Sequence, residues 1–169
     1  MRIKESCNAM LKPLQRALFV VSALIFLTAL TAQAQGRVIY SDTADAHHDI
    51  AQALVTAQHE HKRVILDFGG NWCIDCQVLD IYFHQPPNLE LLENNFVLVH
   101  VDIGRYDRNT DIAAKYGIPL EHGVPKLAVL DAHGKLLYGQ VKGEFKSMSK
   151  MAPDSVTEFL NQWKPKQKA

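Results

Sequence analysis

Cysteine is scarce in this 169-residue chain: there are three, and only Cys73 and Cys76 lie beyond residue 34. Two thiols do not complete the four-ligand shell of a structural zinc ion. No segment after residue 34 is rich in methionine or histidine, so a Cu(I)-handling protein would have only these two sulfurs and a nearby His122 to offer. Charge of one sign is also missing. Lys+Arg and Asp+Glu both number 18, so the basic footprint of a nucleic-acid partner is absent. No internal repeat or composition break marks a second domain. The longest apolar run, residues 17–30, is interrupted by Ser22 and Thr28 and is too short for an easy membrane span.

What is present begins with a leader. Arg2, Lys4, Lys12 and Arg16 precede the apolar run, and Ala32-Gln33-Ala34 follows it as a small-x-small site. This is the pattern of a secretory signal peptide over residues 1–34, cleaved after Ala34. It implies a periplasmic or otherwise exported protein. An uncleaved N-terminal anchor is the alternative. No cysteine follows the site, which argues against a lipoprotein. Cleavage removes four basic residues, Glu5 and Cys7, leaving a mildly acidic domain over residues 35–163 and a solvated basic tail over 164–169. An exported domain with one cysteine pair works where disulfides persist.

Periodicity supplies the elements. A strand is expected over 37–40, then a helix over 44–60 capped by Asp42 or Thr43, with Ile50, Ala53, Leu54 and Ala57 on one face. Residues 64–68 and 96–102 are apolar runs without alternation, read as strands covered on both faces. A helix over 73–83 carries Val78, Leu79 and Tyr82 and stops before Pro86-Pro87, and 89–93 adds a helical turn. A short helix spans 110–116, closed by Gly117. Residues 126–130 and 135–138 form a hairpin across Asp131-Ala132-His133-Gly134. Val156, Phe159, Leu160 and Trp163 make an amphipathic closing helix. The order β-α-β-α-β-α-β-β-α gives an α/β fold, a central mixed β-sheet flanked by helices on both faces.

The chemistry gathers at Trp72-Cys73-Ile74-Asp75-Cys76. Two cysteines three apart, after a strand and opening a helix, form a redox arrangement. At the helix N-terminus, unpaired N–H groups and the dipole favour the Cys73 thiolate. Cys76 lies nearly one turn on, positioned to close a disulfide with it. A purely structural disulfide is the alternative, but so small a loop restricts the unfolded chain little. Asp75 has two readings. Its charge opposes the thiolate by about 1 kcal/mol or less, roughly 20 mV, or it is simply a favourable acid in a first helical turn. Trp72 is an apolar lip beside Cys73 or a core residue. Gly69-Gly70 frees the backbone before the site or only makes the turn. His122, three residues before Pro125, is placed to tune the pair near neutral pH.

Asp67-Phe68 upstream of the cysteine motif and Gly123-Val124-Pro125 downstream make residues 38–163 resemble the thioredoxin superfamily. The likeness is greatest to its exported members and to the C-terminal domain of membrane-bound disulfide reductases. Ile74-Asp75 stands where the family usually has Gly-Pro. The resemblance implies a buried Asp67 beneath the pair that helps to deprotonate Cys76, and burial of a carboxylate disfavours its charge. A strand-end Asp67 facing water is the alternative. It implies a cis Val124-Pro125 bond facing the dithiol, with the Val124 backbone pairing with an extended substrate segment. It implies thiol:disulfide exchange without a cofactor beyond the redox-active Cys73–Cys76 disulfide, and protein substrates bearing disulfides or thiols. A monomer is expected, acting as a reductant fed by a membrane-bound reductase. An oxidase or isomerase on the same scaffold is the rival, and a non-catalytic binding module is disfavoured by the intact pair.

Overall fold

The computed structural model describes residues 38–166. The expected leader, its cleavage site and the last three residues of the tail lie outside the described residues.

Among the described residues, five α-helices and four strands fall where the patterns place them, with local differences. The first helix, α1, spans Ala46–Glu60. Its cap is Asp45, not Asp42 or Thr43: the Asp45 carboxylate accepts the His48 N–H at 3.1 Å. His61 ends it in a left-handed conformation. Ala46, Ile50, Ala53 and Ala57 make the buried stripe. Strand β1, Arg63–Gly69, runs through the middle of the sheet and is buried from Val64 onward. Helix α2, Ile74–Phe83, begins at Cys73 as its cap. The helical turn expected after Pro86-Pro87 is a full helix, α3, Asn88–Asn95. Strand β2, Phe96–Asp102, helix α4, Thr110–Lys115, and the hairpin β3, Lys126–Leu130, and β4, Leu136–Gly139, come next. Asp131 holds the hairpin turn by accepting the His133 and Lys135 N–H groups, both at 2.9 Å. Helix α5, Asp154–Trp163, closes the domain with Val156, Phe159 and Leu160 inward.

The sheet order is β2-β1-β3-β4. β1 runs parallel to β2 and antiparallel to β3, and β3 pairs antiparallel with β4. Alternation along β1 sends Val64, Leu66 and Phe68 to one face, where α1 and α4 cover them. Ile65 faces the other side and packs with Leu79 and Phe83 of α2, Leu92 of α3 and Phe159 and Leu160 of α5. Helices therefore flank a mixed sheet on both faces, as expected.

Two expectations about strands are corrected. Val38–Tyr40 is not a strand. Its backbone is satisfied by one side chain: Asn71 Oδ1 accepts the Ile39 and Tyr40 N–H groups at 2.8 and 3.1 Å, and Asn71 Nδ2 donates to the Tyr40 carbonyl at 2.6 Å. With those groups paired to Asn71, the segment needs no strand ladder. β2 is not covered on both faces along its length. It is an edge strand, with Val97, Leu98 and His100 only half-buried.

Candidate functional site

β1 ends at Gly69, and the turn Gly70-Asn71-Trp72 delivers the chain to α2. The Cys73 N–H closes this turn onto the Gly70 carbonyl at 3.0 Å. Cys73 keeps an extended backbone, φ −92° and ψ 111°, so its sulfur sits over the helix tip and accepts the Cys76 N–H at 3.1 Å. That donor is one of the orphan amides of a helix start, and it favours negative charge on the sulfur when the pair is reduced. Cys73 and Cys76 are joined as a disulfide with Cα atoms 5.2 Å apart. Cys76 is fully buried, whereas Cys73 keeps 6% exposure.

Gly69 is dictated by space. A methyl group there would drive into the Tyr40 ring and hydroxyl and stand 3.0 Å from the Cys76 sulfur. The same crowding shows that the Tyr40 phenol and Cys76 approach one another at the end of β1.

The structure brings several expected site residues together. The Val124-Pro125 bond is cis, and the Val124 carbonyl oxygen lies 3.6 Å from the Cys73 sulfur. Trp72 is not core packing: it is 38% exposed, donates its indole N–H to the Gly104 carbonyl at 2.6 Å and stacks near Tyr106 at 5.7 Å. The Arg105 guanidinium covers its ring at 5.1 Å. Beside it Ile74 is 74% exposed. Asp75 lies in the first turn of α2, and its carboxylate accepts the Ser149 N–H at 2.8 Å, tying the helix tip to the one-turn helix Met148–Lys150. His122 is not drawn to the pair. Its imidazole faces Glu121 at 4.0 Å on the surface, and among the described residues no hydrogen bond or ion pair links it to either cysteine.

Asp67 does not face water. It is fully buried, and its Oδ2 accepts the Tyr40 hydroxyl at 2.7 Å and meets His100 Nδ1 at 3.0 Å. Its Oδ1 has no hydrogen-bond partner among the described residues. Burial, and after it the Asp67 carboxylate, pushes the Tyr40 phenol well above its ordinary range, so Tyr40 stays a donor. The Tyr40 and His100 rings meet edge-on at 5.3 Å. Beyond His100, its Nε2 lies 3.8 Å from the buried Asp80 of α2, which also pairs with His84 at 3.2 Å.

Sequence reasoning missed Tyr40, Asn71 and His100. His100 carried a signal. It stands four residues into an apolar strand, as Asp67 does in its own, and the parallel register pairs Asp67 with His100 directly. Two polar residues at the same offset in neighbouring parallel strands share one face. Tyr40 and Asn71 carried none, since their contact joins segments 31 residues apart.

Comparison with known proteins agrees with this picture. A family model described as thioredoxin-like matches residues 45–132. A disulphide isomerase from Xylella fastidiosa Temecula1 is similar at 32% identity, covering 75% of this chain and 96% of its own, with a TM-score of 0.72. The C-terminal domain of DsbD from Neisseria meningitidis, in its reduced form, is 27% identical over 70% of this chain and 96% of that one, with a TM-score of 0.47. No curated protein matches the chain. By fold, by the matched family model and by its paired cysteines, the chain belongs to the thioredoxin-like family and is a thiol:disulfide oxidoreductase.

Proposed function

We propose that this protein is exported and reduces disulfides in protein substrates through Cys73 and Cys76. The observation that carries the reading is Cys73 at the cap of α2, its sulfur held by the Cys76 N–H and bordered by the Val124 carbonyl. In the reduced protein the Cys73 thiolate attacks a substrate disulfide. The substrate S–S bond breaks, one substrate sulfur leaves as a thiolate and takes a proton, and a mixed disulfide forms. The Cys76 thiol then gives its proton to Asp67, and its thiolate attacks the Cys73 sulfur. The second substrate sulfur leaves, and two electrons have passed from the pair to the substrate. Trp72 and Ile74 supply an apolar lip beside Cys73, and the Val124 backbone offers a main-chain edge to an extended substrate segment. Sustained turnover needs an external electron donor, for which a membrane-bound disulfide reductase has the right chemistry. The basic, apolar and small-x-small order of residues 1–34 supports export.

Trapping tests the core of this. Cys76→Ser should retain partners as mixed disulfides on Cys73, released by reductant, and Cys73→Ser should retain none. Equal capture by both variants refutes the roles. A second reading, an isomerase, is favoured by the similar Xylella protein described as one. Equilibration with glutathione separates the two: a reduction potential near about −270 mV fits a reductant, whereas about −180 to −120 mV sinks that direction.

A further inference from the structure

Any proton that the buried Asp67 takes up must leave again before the next cycle, and its carboxylate has no exposure of its own. Among the described residues, two side chains are hydrogen-bonded to its Oδ2. The Tyr40 phenol is fully buried and holds its proton tightly, so it donates and accepts nothing. His100 differs. Its Nδ1 meets Oδ2 at 3.0 Å, and its side chain keeps 23% exposure at the open edge of the sheet. We propose that His100 is a positioning and proton-relay residue for resolution of the mixed disulfide, carrying the proton between Asp67 and solvent.

This rests on the reading of Asp67 as acceptor of the Cys76 proton. Protons balance along the path: the thiol proton moves to Asp67, Asp67 returns one to His100 Nδ1, and Nε2 releases one to water. Imidazole suits the task because its two nitrogens can take and release protons near neutral pH. Asp80 of α2, 3.8 Å from Nε2, favours the transient imidazolium, and His84 shares that carboxylate. Among the described residues, further charged groups line the same cleft as His100: Glu60 and Lys62 at the end of α1, and Glu93 of α3. Asp49 of α1 lines a second cleft on its other side. These charges lie around the clefts that His100 lines, whereas the direct contact with Asp67 is what ties its protonation to the chemistry.

The test follows a single turnover. Reduced protein is mixed with glutathione disulfide, and the Cys73–glutathione adduct is counted by mass spectrometry of acid-quenched samples between about pH 5 and 8. In the unaltered protein, decay of the adduct should pass through one imidazole-like inflection, and its absence overturns the relay without any variant. His100→Gln keeps an N–H donor for Oδ2 but removes the titration. Decay should slow about tenfold or more near neutral pH, and the inflection should vanish. A merely structural histidine would be rescued by glutamine, so unaltered decay in His100→Gln also overturns the proposal. Asp67→Asn separates the two ideas. If it slows decay while His100→Gln does not, the acceptor reading stands and the relay falls. If Asp67→Asn is itself as fast as the unaltered protein, the acceptor reading fails. Where both hold, the double variant decays no more slowly than Asp67→Asn alone.

Discussion

Replacing Asn71 by alanine removes one side chain that holds a whole segment. Three hydrogen bonds are lost: two N–H groups lose their acceptor and the Tyr40 carbonyl loses its donor. The Ile39 bond is exposed and the two Tyr40 bonds are half-buried. At roughly 0.5–1.5 kcal/mol per bond, with the exposed one at the low end, the loss sums to about 2 kcal/mol. For a domain of this size that is a fall in Tm of about 6 °C. Asn71→Asp keeps the acceptor for both N–H groups and loses only the donor, so it should lose about half as much. Thermal denaturation of the three proteins should rank them in that order. Amide exchange supplies the local reading: the Ile39 and Tyr40 N–H groups should lose protection in Asn71→Ala and keep it in Asn71→Asp. An Asn71→Ala protein that melts with the parent and protects both amides refutes the clamp.

Gly69→Ala pushes a methyl group into the Tyr40 ring, and a small-to-large change in so tight a place should cost about 1–3 kcal/mol, measured by urea denaturation. Tyr40→Phe in the same background should recover part of that loss, because the clash includes the hydroxyl. High pH should destabilise the fold. Burial raises the Tyr40 phenol well above its ordinary range and, as the first cause, lifts Tyr138 to about 12. The folded state thus holds these protons where the unfolded chain releases them. Their contribution is complete below about pH 10 and drains away as pH rises past it, through about 12 for Tyr138. Urea midpoints that stay flat from pH 9 to about 11 refute this linkage.

Much of the fold was legible because it is written locally. The stripe Ile50, Ala53, Ala57, the apolar run of β1 and the Asp131 turn each declare an element within a few residues. The cysteine pair declared itself by spacing and by the strand before it. What stayed hidden depends on distant segments. Residues 37–40 have strand-like composition, yet the chain pairs Ile39 and Tyr40 with a side chain on the active-site turn. The run of β2 looks as buried as that of β1, and only the sheet order shows it to be an edge. His122 attracted notice through closeness in sequence to Pro125, whereas His100 reaches the site through strand register. For Asp75, sequence could give the charge and the helical turn but not the Ser149 amide that it holds.

That last contact has a consequence for how such a protein can diversify. Asp75 grips the neighbouring loop by its main chain, which every residue except proline provides at Ser149. Phe145 and Met148 point inward and are not free to change, but Lys142, Glu144, Lys146 and Lys150 are exposed. The rim of the active site can therefore be rewritten in charge, one surface residue at a time, while the tip of the helix that carries Cys73 stays where it is.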